Sequence, residues 1–485
     1  MQTTIKSNYK TRSGWRQMRR IVSSLFFVAT CLSALFILPQ TLSNHILDLQ
    51  VGPSIIKLTT SLGASVLLTS VALFIIVVVF GRIYCSIICP VGYLQDLSIW
   101  LGRQLKLTPE WNIESKKSLK LVRILLLSLT IVILVFGSAF SAGLIEPFSI
   151  FSRFLFLIKI VFSGAFVVQT IPLLFILIIT FAILLSAVKY GRFYCSWICP
   201  VGTLLWGLSK ISLFKVKIEE TKCNNCNKCL PNCKAGAIDP IQHTVDQALC
   251  VGCFNCMSVC NQDAINLDSA KKIKKTENNT ILIESKRKFI GQLLSTTTLL
   301  IGIPFISISN NELKSFLSEK KKRTPVFPLG SIKTSHFKSK CTGCMVCAQV
   351  CPSKIIGPSM GSVISSPILP VLDFTNNYCL EDCIKCSQVC PTGALSQVKI
   401  EDKTITKMAT LTLDLTNCQV VADGLECSIC AEICPINAIQ MKQIENQQLP
   451  LPIVDQNICN GCGKCLYRCP ANESKSVFIF SGEVG

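Results

Sequence analysis

Of the 29 cysteines, 24 fall into six sets of four, and no other feature limits the fold as strongly. The first two sets are Cys223, Cys226, Cys229, Cys233 and Cys250, Cys253, Cys256, Cys260, each spaced CxxCxxCxxxC. Four more follow: Cys341, Cys344, Cys347, Cys351; Cys379, Cys383, Cys386, Cys390; Cys418, Cys427, Cys430, Cys434; and Cys459, Cys462, Cys465, Cys469. Each of these four ends in CP, at Pro352, Pro391, Pro435 and Pro470. The second and third of them lengthen the gap after their first cysteine, where a loop can bulge. Three thiolates at CxxCxxC spacing wrap three iron corners of a cubane, and the fourth cannot come from the same loop without strain. In two-cluster ferredoxins the fourth cysteine of a run ligates the other cluster. On that rule Cys223, Cys226 and Cys229 take Cys260, while Cys250, Cys253 and Cys256 take Cys233. For the last four sets we expect nested pairing, first with fourth and second with third. Structural zinc fits poorly, because it wants a closed arrangement of CxxC pairs. The six sets therefore predict six [4Fe-4S] clusters.

A second pattern is a duplication. Gly81 to Leu94 reads GRIYCSIICPVGYL, and Gly191 to Leu204 reads GRFYCSWICPVGTL, identical at eleven of fourteen positions. Each copy follows an uncharged apolar run. Cys85, Cys89, Cys195 and Cys199 are four thiols from two equivalent loops, enough for a seventh metal centre. Redox-active thiols and a purely structural role are the other readings. Arg82, Arg192, Tyr84 and Tyr194 are placed to orient a quinone head group or to anchor helix ends at a membrane interface.

Composition supports a membrane assignment. Half the residues are hydrophobic, only 16% are charged, and mean hydropathy is +0.49. Uncharged runs at Ile21–Pro39, Leu62–Phe80, Ile124–Ile145 and Ile171–Val188 predict four spanning helices. Phe154 to Thr170, interrupted by Lys159, reads as interfacial or re-entrant. Residues 1–20 carry six bases and no acid, which places the N-terminus and both repeats on the cytoplasmic side. Ser285 to Gly291 reads SKRKFIG and precedes a charge-free run, Ile290–Ser309. That is a fifth linking span or a twin-arginine-like signal anchor, and it sends the last domain outside.

The formal charge of +20 is scattered rather than gathered in a stripe, so nucleic acid is not an expected partner. The only histidines are His45, His243 and His336, none within a predicted span, and no CxxCH occurs. Haem is therefore not expected. Neither a GxGxxG nor a Walker loop is present.

The predicted organisation is a basic N-terminus (1–20), a four-span domain (21–210), a two-cluster ferredoxin domain (211–268), a linker with the fifth span (269–310) and a four-cluster ferredoxin domain (311–485). The fold class is a membrane all-α helical bundle followed by α+β bacterial-type ferredoxin domains. Six clusters make a conductor, since nothing in their loops supplies a general acid, a base or a substrate pocket.

Residues 60–260, through both repeats and the array at 223–260, resemble the NapH-type membrane polyferredoxins. Residues 285–470, through SKRKFIG and the four cysteine sets, resemble the NapG/MauM-type ferredoxins. The chain looks like a fusion of the two, departing from the pattern at Lys286. The resemblance implies a quinol dehydrogenase component of anaerobic respiration at the bacterial inner membrane. It would draw on the quinone pool, with quinol as substrate, and deliver electrons to a periplasmic terminal reductase of nitrate or nitrous-oxide type, or to that enzyme's electron-accepting subunit. The first ferredoxin domain would then be cytoplasmic and the last periplasmic. An assembly or metal-reduction factor for a respiratory metalloenzyme is the alternative, since related CxxxCP spans occur in such proteins.

Overall fold

The computed structural model describes residues 2–35, 38–58, 64–107, 116–135, 139–162, 170–239, 241–269, 325–359, 369–444, 448–471 and 478–481. A helical body carries two ferredoxin modules, and it is built around the duplication. Helices Ala64–Phe80 and Thr170–Tyr190 lead into the two copies. Each is ended by the opening glycine, Gly81 or Gly191, at φ of +70° and +62°, the left-handed stop that suits glycine. A short helical turn follows, Tyr84–Ile87 or the π-turn Tyr194–Ile198. Cys89 and Cys199 then cap new helices, Pro90–Gln104 and Pro200–Ser209, with proline in the first turn, where its missing N–H costs nothing.

The long helix Gln2–Ala34 runs beside the first copy and reaches helix Asn255–Val259 of the first ferredoxin module. Helix Pro147–Phe162 packs on Pro90–Gln104, on Thr170–Tyr190 and on helix Val346–Val350 of the C-terminal module. The modules themselves contain little regular structure. Strands Phe214–Ile218 and Ile265–Ser269 pair antiparallel, Val216 opposite Leu267. In FKVKI, alternation buries Val216 and Ile218 and leaves the lysines half-buried. Three further two-stranded antiparallel sheets join Ile356–Pro358 to Pro370–Leu372, Thr410–Leu413 to Phe478–Ser481 and Ile439–Lys442 to Leu451–Val454.

The predicted membrane bundle is corrected. Of the run at Ile21–Pro39, residues 21–34 form the end of the 33-residue helix Gln2–Ala34, whose inner face buries Arg19, Ser23, Thr30 and Ser33. The run at Leu62–Phe80 forms a 17-residue helix, about 26 Å long at 1.5 Å per residue, against a bilayer core of about 30 Å. The run at Ile124–Ile145 contributes residues to helices Lys116–Val135 and Ala139–Gly143. The first of these begins with lysines and buries Arg123 between Trp197 and Trp206, 5.4 and 4.7 Å from the ring centroids. Helix Thr170–Tyr190 closes on Lys189 and buries Thr180. Among the described residues no helix is long and apolar enough to cross a membrane. The same finding corrects the multi-pass inner-membrane placement, with one ferredoxin domain on each side. Leu68, Phe74, Ile75, Ile178 and Phe181 nevertheless stay exposed on the outer helix faces. The fifth run, Ile290–Ser309, and SKRKFIG lie outside the described residues.

Phe154–Thr170, expected to be interfacial, instead belongs in part to an internal helix. Arg153 and Lys159 turn inward and hold the C-terminal module. The Arg153 Nε donates to Gly343 O at 2.9 Å and its Nη2 to Thr342 O, while Lys159 Nζ donates to Gln349 O. Gln349 Nε2 returns a bond of 3.0 Å to Ser152 O.

Candidate metal and electron-transfer sites

In the first module a cavity is lined by Cys223, Cys226 and Cys229 together with Cys260. The second set clusters around the same core. Burial raises the Cys256 thiol well above its usual value, and the nearby charges of Cys253, Cys233 and Cys250 add to this. In the C-terminal module one cavity joins Cys379, Cys383 and Cys386 to Cys351. A second joins Cys418, Cys427 and Cys430 to Cys469, and a third joins Cys459, Cys462 and Cys465 to Cys434. The remaining thiols are Cys341, Cys344, Cys347 and Cys390. Burial raises Cys347, and these neighbours raise it further. Pairing therefore runs first with second and third with fourth, and the nested expectation is corrected. Neighbouring sets close shorter loops, which costs less chain entropy.

The third ligand of a set sits on a one-turn helix. Phe254, Met345 and Gly463, all at positive φ, turn the chain into Asn255–Val259, Val346–Val350 and Lys464–Arg468. Those helices carry Cys256, Cys347 and Cys465. Among the described residues no group of three or more His, Cys, Asp or Glu side chains is drawn together tightly enough for a single ion. Thiolates around one zinc at ~2.3 Å would crowd within about 4 Å of each other. Four cysteines spread around a cavity fit a cluster with one thiolate per iron corner.

The four repeat thiols converge as well. Cys85, Cys89, Cys195 and Cys199 share one buried cluster with Ala235, Val251 and Cys253 of the first module and with Ile150 and Phe151 of helix Pro147–Phe162. Burial pushes Cys195 up to about 12 and holds Cys89 and Cys199 well above the usual thiol value, with the other repeat thiols adding to each. The Gly202 N–H donates to Cys199 Sγ at 3.3 Å.

Arg82 and Arg192, expected at an interface, are 0% exposed. Arg82 Nη2 donates to Cys195 O at 2.6 Å, and Arg192 Nη1 donates to Cys85 O at 2.7 Å, so each copy straps the other. The two glycines of CPVG make room for this. A Cβ on Gly92 would overlap Cys85 O, and one on Gly202 would overlap Cys195 O. Tyr84 and Tyr194 are buried too. Tyr84 donates to Gln50 Oε1 at 3.2 Å and Tyr194 to Ile145 O at 2.7 Å.

The residue that sequence reasoning missed is Asp96. Its carboxylate receives Arg192 Nε at 2.8 Å, Lys234 Nζ at 2.7 Å and Arg19 Nη1 at 3.1 Å. Burial works to raise its pKa, but Arg192, Lys234 and Arg19 outweigh that and hold it far below the usual carboxylate range. One signal was available, since Asp96 is the single acid between Asp48 and Glu110. Lys234 was missed beside the fourth ligand Cys233. Glu146 was missed as well; it accepts from the N–H groups of Phe148 and Ser149 at the start of helix Pro147–Phe162.

The 4Fe-4S binding domain family matches residues 62–108 and 172–219, and 4Fe-4S dicluster domain families match 249–356 and 425–472. An uncharacterized protein of Methanocaldococcus jannaschii is 28% identical over 261 residues, 54% of this chain and 90% of that protein. Ferredoxin-type protein NapH of Escherichia coli is 30% identical over 200 residues, 38% of this chain and 61% of that protein. Ferredoxin-type protein NapG of Escherichia coli is 33% identical over 173 residues, 33% of this chain and 73% of that protein. No solved structure matches. Tandem 4Fe-4S domains, paired thiol sets and both kinds of relative lead to one assignment: the chain belongs to the NapH/NapG-like polyferredoxins, ferredoxin-type electron-transfer proteins that hold multiple [4Fe-4S] clusters.

Proposed function

We infer that the chain accepts electrons from quinol and delivers them to a terminal reductase of nitrate or nitrous-oxide type, using six [4Fe-4S] clusters held by the 24 paired cysteines. The observation that supports this is the pairing of neighbouring thiol sets within each module. The first module offers two adjacent sets around a shared core. In the C-terminal module the second and fourth sets meet directly, with Cys379 N donating to Cys462 O at 2.9 Å. Lys464 bridges to Glu381 at 2.7 Å across the same seam. A bound [4Fe-4S] cluster supplies one-electron acceptance and release. The chain supplies the rest: thiols that fix each cluster, apolar walls that keep water away, and rigid contacts that hold neighbouring sets in order. The cavities of the C-terminal module are lined mainly by thiols and apolar groups, with Gln419, Asn460, Lys464 and Ser353 as polar members and no carboxylate or imidazole among them. That suits conduction better than substrate chemistry.

Quinol as donor and the reductase as acceptor follow the resemblance to the NapH and NapG types. Anaerobically purified chain mixed with a reduced quinol analogue is expected to show bleaching of its iron–sulfur absorbance. Clusters that dithionite reduces and the quinol analogue does not would remove quinol from the scheme.

A further inference from the structure

The four repeat thiols lie between the two ferredoxin modules, a position that the functions above do not use. On one side they share a buried cluster with Ala235, two residues past Cys233, and with Val251 and Cys253 of the set Cys250–Cys260. Arg82 Nη1 donates to Ala248 O at 3.2 Å, and Arg192 N donates to Lys234 O at 2.8 Å, which closes that side. On the other side lies the first turn of helix Pro147–Phe162. Phe151 belongs to the same buried cluster as the repeat thiols, while Phe148, one turn earlier, belongs to a cluster with Val346, against which Cys344 of the C-terminal module packs. A single helix, ~10–12 Å across with its side chains, separates the repeat thiols from the nearest C-terminal set.

We propose that Cys85, Cys89, Cys195 and Cys199 together ligate a further iron–sulfur cluster, and that this centre is the electron bridge between the two ferredoxin modules. Two CxxxC loops related by the duplication supply two thiolates each. The surrounding charge calls for an anion. Arg82, Arg192, Arg19 and Lys234 are all buried here, against the carboxylate of Asp96 and that of buried Glu146, which faces Cys199 and both repeat tyrosines. Part of that charge faces the Cys250–Cys253 loop. A four-thiolate cluster of about −2 matches the remainder. The helix N-termini at Pro90 and Pro200 add N–H groups directed at the cysteines that cap them.

Iron and acid-labile sulfide per chain decide the matter, measured on full-length protein prepared without oxygen and backed by Mössbauer spectra. Six cubanes give ~24 irons, and the bridge adds about two or four according to its nuclearity. The double variant Cys85→Ser, Cys195→Ser should lose only that increment, with the spectra of the other clusters unchanged. Electrons from a reductant docked at the first module should then no longer reach the C-terminal sets. A count of ~24 in the unmodified chain, or zinc in place of iron at these thiols, overturns the proposal. That count stands even if the variant loses all its clusters. It is also independent of quinol, so failure of the donor assignment leaves it untouched.

Discussion

Arg82 donates to the carbonyl of Cys195 at 2.6 Å, and the equivalent bond runs back from Arg192 to Cys85 at 2.7 Å. The two arginines differ in what else they hold. Arg82 adds a backbone carbonyl at Ala248, whereas Arg192 adds the carboxylate of Asp96. Removing Arg82 leaves buried carbonyls unsatisfied, at about 1–3 kcal/mol. Removing Arg192 also strips Asp96 of a partner, so Arg192→Ala should unfold at clearly lower temperature than Arg82→Ala. Anaerobic thermal melts of the two variants compare them directly, and equal losses would contradict the asymmetry.

Asp96 gathers three cations from three parts of the chain. Asp96→Asn strands them without a counter-charge, and breaking such a buried pair costs about 3–5 kcal/mol. The pH dependence follows from the depressed pKa. The folded carboxyl binds protons less readily than the unfolded one, so its stabilisation is complete above the unfolded value of ~3.9 and is lost as pH falls from there toward the folded value. Denaturant midpoints of wild type and Asp96→Asn should therefore differ most at neutral pH and approach each other below about pH 4. A gap that stays constant well below pH 4 would show that Asp96 does not titrate in this way.

Gly92 and Gly202 test close approach. A methyl group on either would enter the space of the cysteine carbonyl that the opposite arginine straps. Gly202→Ala is expected to cost about 1–3 kcal/mol through overpacking against backbone. Gly424→Ala is a useful comparison at positive φ, because nothing lies within 4 Å of its added carbon. Chemical denaturation of both variants would separate crowding from backbone strain.

The thiol pairing makes a spectroscopic prediction. Cys260→Ser should remove the same cluster signal as Cys226→Ser, because both line one cavity. Cys469→Ser should remove the signal lost in Cys427→Ser and leave the Cys341 set intact. Nested pairing would instead make Cys469→Ser act on the Cys341 set, and EPR of the reduced variants distinguishes the two patterns.

Arg153 and Lys159 fasten the C-terminal module through carbonyls of the Cys341–Cys351 loop. Arg153→Ala should weaken docking by about 1–3 kcal/mol. Amide exchange in residues 341–351 is expected to rise, while exchange around 411–413 and 451–454 stays unchanged.

The ligand loops were legible in the sequence because cluster ligation imposes a spacing that survives without any knowledge of the fold. Which loop faces which was only half legible. The swap inside the first module follows from adjacency, but four sets admit several arrangements, and loop length rather than symmetry selects among them. The apolar runs were legible as helices and misread as spans. Hydropathy sums a helix over all its faces, and it cannot see that Arg19 and Arg123 point inward to Asp96 and to the tryptophans. Arg82 and Arg192 were misread for the same reason. A cation at a helix end has the same sequence signature whether it meets solvent or a carbonyl more than a hundred residues away.

The ion cluster at Asp96 also sets a clock. Its partners run from Arg19 to Lys234, so it cannot close until the first 234 residues have left the ribosome. At roughly 5–20 residues per second, Arg19 waits on the order of ten to forty seconds after its own synthesis for Lys234. During that interval Arg19 and Asp96 lack Lys234, and the four repeat thiols have not yet met the residues of the first module that pack in the same buried cluster. Newly made chain is therefore most vulnerable to oxygen and to aggregation before Cys233 and Lys234 arrive, and a pulse of oxidant during synthesis should do more damage than the same pulse applied afterwards.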